Sequence, residues 1–241
     1  MYDHATQIGL ACLCYDRENY ASYCKEMLPG RKITELVTDT EYFGIVDNQK
    51  GHADVFMRGT HGDTFVKKIV SWAGNLMASD NDEDGRFDGF QAIAEAMYKK
   101  MGDALKAFDS LYYFGHSRAC SCLAILALMV GCKKTSGRVF CPPVPGNADF
   151  AKIFNATIPD WVYYRMLGDL INAKAMRNAK NKMLDGVDVG IAVDLPPVGF
   201  SWRIPILRAW QHSPKRICRS EMVEYPEEKT RIQWVLERCV N

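Results

Sequence analysis

A serine held on a tight turn between an apolar strand and an apolar helix is poised for nucleophilic attack, and this chain carries one. Leu111-Tyr112-Tyr113-Phe114 reads as a buried strand. It stops at Gly115-His116-Ser117, and a run of small and apolar residues from Ala119 to Val130 follows at once as a buried helix. Such a turn lifts the Ser117 hydroxyl above the sheet edge. It also sets the N–H of Arg118 at a helix N-terminus, facing a developing oxyanion. Gly115 and Ala119 are small, as needed where strand and helix backbones approach closely. This is the context of a nucleophile elbow. The plainer reading of the same residues is a helix N-cap, since serine and glycine are common before helices. The order and spacing of the remaining elements decide between the two.

Those elements alternate. Glu41 to Val46 and Ala53 to Met57 are strand-like runs joined by the polar turn Asp47 to Gly51, so the spacing predicts a β-hairpin. Its outgoing strand delivers Arg58-Gly59-Thr60-His61-Gly62 to a sheet edge. Phe87 to Lys106 reads as an amphipathic helix with Phe90, Ile93, Ala94, Met97 and Met101 on one side. After the elbow helix come a strand at Arg138 to Cys141, a proline-rich stretch to Asn147 and a short helix at Ala148 to Asn155. A strand from Trp161 to Leu167 then ends in Gly168-Asp169. Helical spacing also marks Thr6 to Tyr23, with Leu10, Leu13 and Tyr20 on one face, and Tyr225 to Val240, with Ile232, Val235 and Leu236 inward. Alternating strands and helices predict an α/β fold with a mostly parallel central sheet and helices on both faces.

The 241 residues suit one large domain, read here as residues 1–241 with a polar insert or cap at about 170–194. A net charge of +1 gives no broad electrostatic case for nucleic acid. The N-terminus lacks the basic region of a secretory signal, and the apolar run Cys122 to Val130 is far too short to span a bilayer. Nine cysteines, an odd number, favour a reducing compartment, so a cytoplasmic location is expected. Cys12-x-Cys14 and Cys120-x-Cys122 lack the spacing and nearby histidines of a zinc site and read as small buried residues. The acidic run Ser79 to Gly85 lacks the ligand spacing of a calcium loop and reads as a solvated turn. No metal or organic cofactor is expected.

In their shared order the motifs resemble the class 3, fungal-type lipases of the α/β-hydrolase superfamily over roughly residues 41–217. Phe56-Met57-Arg58-Gly59-Thr60 is similar to the family's oxyanion-hole strand, and Phe87-Asp88-Gly89-Phe90 to the opening of the helix before the elbow. Gly115-His116-Ser117-Arg118-Ala119 resembles the elbow. Pro143-Val144-Pro145-Gly146-Asn147 resembles a Gly-x-Pro-x-x-Gly-Asn segment, Leu195-Pro196-Pro197-x-Gly199-Phe200 a Leu-Pro-Pro and Gly-Phe signature, and His212-Ser213 a late histidine motif. This chain departs from the pattern at Ala119, where the elbow has a second glycine, and at Trp202, where a non-catalytic histidine is usual. It also lacks the first glycine of the Gly-x-Pro segment, and a long insert separates Asp169 from Leu195.

The resemblance implies an acyl-transfer triad in the chain order serine, acid, histidine. His212 is the only histidine beyond the elbow unit and is the expected general base. Asp169 follows a buried strand at the edge where such sheets place their sites, and matches the family's spacing from Arg165. It is the expected acid, with Asp194 second. The oxyanion hole is expected from the Arg118 N–H and from Thr60, through its N–H and hydroxyl. The implied activity is hydrolysis of an acyl ester or lipid through an acyl-enzyme. Amide or thioester hydrolysis on the same triad, or a decayed hydrolase fold serving as a binding module, are the alternatives. The segment Asp63 to Arg86 is read as a lid. The polar insert Asn172 to Gly190 is read as a cap in transient contact with a membrane surface.

Overall fold

The computed structural model describes residues 2–38, 41–60, 85–167, 169, 186–197 and 213–239. A seven-stranded sheet runs through them in the order β1 (Lys32–Val37), β2 (Tyr42–Asp47), β3 (His52–Met57), β4 (Ser110–His116), β5 (Lys134–Phe140), β7 (Asp160–Met166) and β9 (Ile191–Leu195). The first three are antiparallel neighbours, and from β3 onward every pairing is parallel. The expected mostly parallel sheet is therefore present, and its hairpin turns through Gln49, Lys50 and Gly51, all at positive φ. Two short strands, β6 (Gly146–Asn147) and β8 (Gly186–Val187), pair apart from it.

Alternation along the strands builds two cores. Val55, Leu111, Tyr113, Val139 and Trp161 face one side, against α3 (Asp88–Lys106), α4 (Arg118–Val130) and α5 (Ala148–Thr157). Phe56, Phe114, Phe140, Tyr164 and Leu195 face the other, against α1 (His4–Cys12), α2 (Tyr20–Met27), α6 (Pro214–Glu224) and α7 (Lys229–Arg238). Helices thus cover both faces, because strand side chains point alternately up and down. Phe90, Ala94, Met97 and Met101 are buried as the helical spacing predicts, with Ile93 packed beside them. Cys12, Cys14, Cys120 and Cys122 are buried thiols.

Several boundaries differ from the sequence reading. The helix expected over Thr6 to Tyr23 is two helices separated by a 3₁₀ turn at Leu13–Tyr15 and a polar turn. Asp16 stabilises the break by accepting hydrogen bonds from Asn19 Nδ2 and Tyr23 Oη, the local competition with helix typical of aspartate. Leu10, Leu13 and Tyr20 are nevertheless all buried. The C-terminal helix begins at Lys229, after a 3₁₀ turn opened by Pro226. Strands β1 and β9 and helix α6 carry few inward apolar residues and leave little periodic signal. β8 and all of β9 but Leu195 lie within the stretch of about 170–194 read as an insert.

All but the last two residues of the lid segment, all but the last of the acidic run and most of the insert fall outside the described residues. Among the described residues no helix is long and apolar enough to cross a membrane.

Candidate active site

The parallel strands β3, β4, β5, β7 and β9 end at one sheet edge, at Met57, His116, Phe140, Met166 and Leu195. Ligands in open α/β sheets bind beyond this edge. Thr60 lies three residues past β3, Ser117 directly past β4 and Asp169 three residues past β7.

Ser117 has φ 61° and ψ −134°, a sparsely populated backbone region that costs a non-glycine residue about 1–3 kcal/mol. Its side chain accepts no bond from the N–H groups of α4, so it is not the N-cap of the plainer reading. The turn is fixed from several sides. Ser117 N donates to Phe140 O at 2.9 Å, and Cys120 N donates to Ser117 O at 3.0 Å. A Cβ added to Gly115 would lie 2.9 Å from Leu123 Cδ1 and 3.2 Å from Ala119 Cβ. That crowding is the close approach for which small residues were expected at both positions.

The segment after β3 meets the turn closely. A Cβ at Gly59 would fall 2.6 Å from His116 O and 3.1 Å from Ser117 Cβ, so only glycine lets the two backbones come together. Thr60 follows, half-buried, and its Oγ1 is buried without a hydrogen-bond partner among the described residues. A buried hydroxyl left unsatisfied is uncommon and calls for an explanation. Arg118, the first residue of α4, adds a backbone N–H from a helix N-terminus.

The two candidate acids differ. Asp169 is 1% exposed and its N–H donates to Met166 O at 3.1 Å. It lies against Cys141, which follows β5 with φ 52°; burial first, and then the charge of Asp169, pushes that thiol up. Asp194 sits on β9 in an ion pair with Arg165 at 2.6 Å, its side chain 44% exposed. His212 lies outside the described residues. The next residue, Ser213, caps α6 by accepting from Arg216 N at 3.4 Å.

Two residues to which the sequence reading gave no place at the site belong to the same neighbourhood. Tyr15 Oη and His116 Nδ1 are 2.8 Å apart in a buried hydrogen bond beneath the turn. Arg118 Nη2 meets Glu41 Oε2 at 2.5 Å, with both side chains 8% exposed. Burial also raises the Cys14 and Cys120 thiols well above their ordinary range.

The Gly-Asn segment has a structural job. Asn147 accepts from Asp149 N and Phe150 N to cap α5, while Asn147 N donates to Gly85 O at 2.8 Å.

Neither a family sequence model nor a curated relative matches the chain. Solved structures do. The M37 lipase superposes with a TM-score of 0.66 at 14% identity, over 97% of this chain and 95% of that one. Lipase II from Rhizopus niveus superposes at 0.61 and 16% identity, over 78% of each chain. A triacylglycerol lipase described as having a serine protease triad for its catalytic centre superposes at 0.52 and 16% identity, over 69% of this chain and 70% of that one. The chain has the α/β-hydrolase fold of these lipases.

Proposed function

We propose that this chain is a serine carboxylic-ester hydrolase that cleaves an acyl ester or lipid through an acyl-enzyme. One observation carries the reading: Ser117 is held in a strained left-handed conformation at the reactive sheet edge and forgoes the cap its position offers. Strain of this kind persists where the surroundings over-determine it, and clusters at active sites. The lipase neighbour with a serine protease triad lends support from the same fold.

In the proposed mechanism His212 takes the Ser117 proton as the hydroxyl attacks the ester carbonyl, and Asp169 orients and stabilises the imidazolium. The N–H groups of Thr60 and Arg118, with the Thr60 hydroxyl, receive the oxyanion. His212 returns the proton to the departing alcohol, and water then hydrolyses the acyl-enzyme by the same steps in reverse. The orphaned Thr60 Oγ1 is consistent with a donor whose acceptor is the reacting oxygen. No metal or organic cofactor enters this scheme.

Hydrolysis of nitrophenyl esters of short and long acyl chains, with thioester and anilide analogues alongside, tests the reading on wild type and Ser117→Ala. Activity on the esters, abolished by the alanine, is expected. Equal rates in the two proteins would refute it. Preference for the thioester or anilide would move the assignment to those bonds. The polar insert at 172–190 is proposed to touch a lipid surface, and unchanged vesicle binding on its deletion would discard that part.

A further inference from the structure

The segments that carry the two proposed oxyanion donors are tied together by a buried ion pair outside the triad. We propose that Glu41 is a positioning residue for the reaction at Ser117, acting through Arg118 to set the separation between the N-terminus of α4 and Gly59-Thr60. The inference rests on the hydrolase reading above.

Glu41 and Arg118 are 77 residues apart in sequence and only 7% exposed each. Glu41 is itself anchored: its N–H donates to Thr38 Oγ1 at 2.8 Å and its carbonyl accepts from Thr38 N at 2.9 Å. The next residue, Tyr42, accepts Arg58 N on its carbonyl at 2.9 Å, latching this strand to the residue just before Gly59. Glu41 thus grips one donor segment through the backbone of its own strand and the other through its carboxylate. On the opposite side Gly59 rests directly on the elbow backbone, where a Cβ would lie 2.6 Å from His116 O. The hole is therefore bounded by a backbone contact on one side and a charged strut on the other.

Stability alone does not account for a buried charge pair, since well-packed apolar residues of similar volume often serve a fold as well or better. Geometry does. Oxyanion donors act only when aimed at the place where charge develops, and a misplacement of about 1 Å costs on the order of 100-fold.

The test uses the same ester assay, read as kcat and KM separately, on Glu41→Gln and on the double variant Glu41→Leu/Arg118→Met, with thermal melting of each. The double variant is expected to melt near wild type, because both members of the pair are replaced together by apolar groups of similar length. In both variants kcat is expected to fall about 10- to 100-fold with KM within about threefold. A double variant that folds and keeps the wild-type kcat overturns the proposal and leaves the pair a space-filling one. If the double variant fails to melt cooperatively, Glu41→Gln decides: an unchanged kcat overturns the proposal. A wild type inactive on every ester brings down the hydrolase reading and this inference together, whereas an active wild type with full kcat in the variants brings down the inference alone.

Discussion

Asn147 and Ser213 stand before α5 and α6 in extended backbone, with φ −84° and −79°, and turn their side chains onto the N–H groups of Phe150 and Arg216. Ser117 stands in the same position before α4, yet has φ 61° and makes no such bond. Written as sequence, the three are alike: a small polar residue followed by a helix. The difference lies in what precedes them. β4 enters its turn with Gly115 pressed against Leu123 and Ala119, and Ser117 N is taken by Phe140 O, so the chain has no room for the extended conformation a cap requires. The fold accepts the strain and the lost cap at one helix start and avoids both at the other two. In the proposed mechanism that hydroxyl is the attacking group.

The proposed mechanism predicts the largest effects at the acid and base it assigns to Ser117. Asp169→Asn is expected to lower kcat by about 10⁴-fold, the usual consequence of leaving a catalytic histidine in the wrong tautomer. Asp194→Asn, which removes only a half-exposed ion pair with Arg165, should leave kcat within about twofold. The reverse ranking in steady-state assays would hand the role of acid to Asp194.

Next comes stability at the helix starts. Ser117→Gly should abolish hydrolysis yet raise stability by about 1 kcal/mol, because glycine adopts φ 61° at little cost. Asn147→Ala should lose about 1 kcal/mol through the missing cap while hydrolysis persists, lowering the melting temperature by about 2–4 °C. Loss of stability in the glycine variant would make Ser117 an ordinary cap.

A smaller effect concerns a buried acid far from the elbow in sequence. Glu221 on α6 is fully buried, and burial raises its pKa to about 8, with Glu224 and Glu228 adding to the rise. His4 Nδ1 lies 3.7 Å away, and burial lowers the pKa of His4. The folded protein holds the Glu221 proton up to about pH 8 and the unfolded chain releases it near 4.5. Stability from this group therefore falls as pH rises through that window. Glu221→Gln should flatten the decline of melting temperature between pH 5 and 8, with kcat unchanged. A parallel decline in both proteins would show that Glu221 does not hold its proton on folding.

The parts legible in sequence were those with local signals. Leu111 to Phe114 followed by Gly115-His116-Ser117 announced the turn, the two apolar runs on either side of the polar stretch Asp47 to Gly51 announced the hairpin, and the 3.6-residue spacing from Phe90 to Met101 announced α3. Helix α6 was illegible because it buries few apolar residues among many charges, and β9 because its burial is slight. The supporting side chains were hidden for a different reason. Tyr15 reaches His116 across 101 residues and Glu41 reaches Arg118 across 77, and such pairings exist only once the sheet has formed. The φ of Ser117 likewise follows from packing around it rather than from its type.

The most direct measurement is covalent labelling with a serine-directed fluorophosphonate, followed by peptide mass mapping of the adduct. A single adduct on Ser117, absent in Ser117→Ala and slowed in His212→Ala, is predicted. Labelling of a different residue, or ester hydrolysis that continues with Ser117 unmodified, would contradict the account.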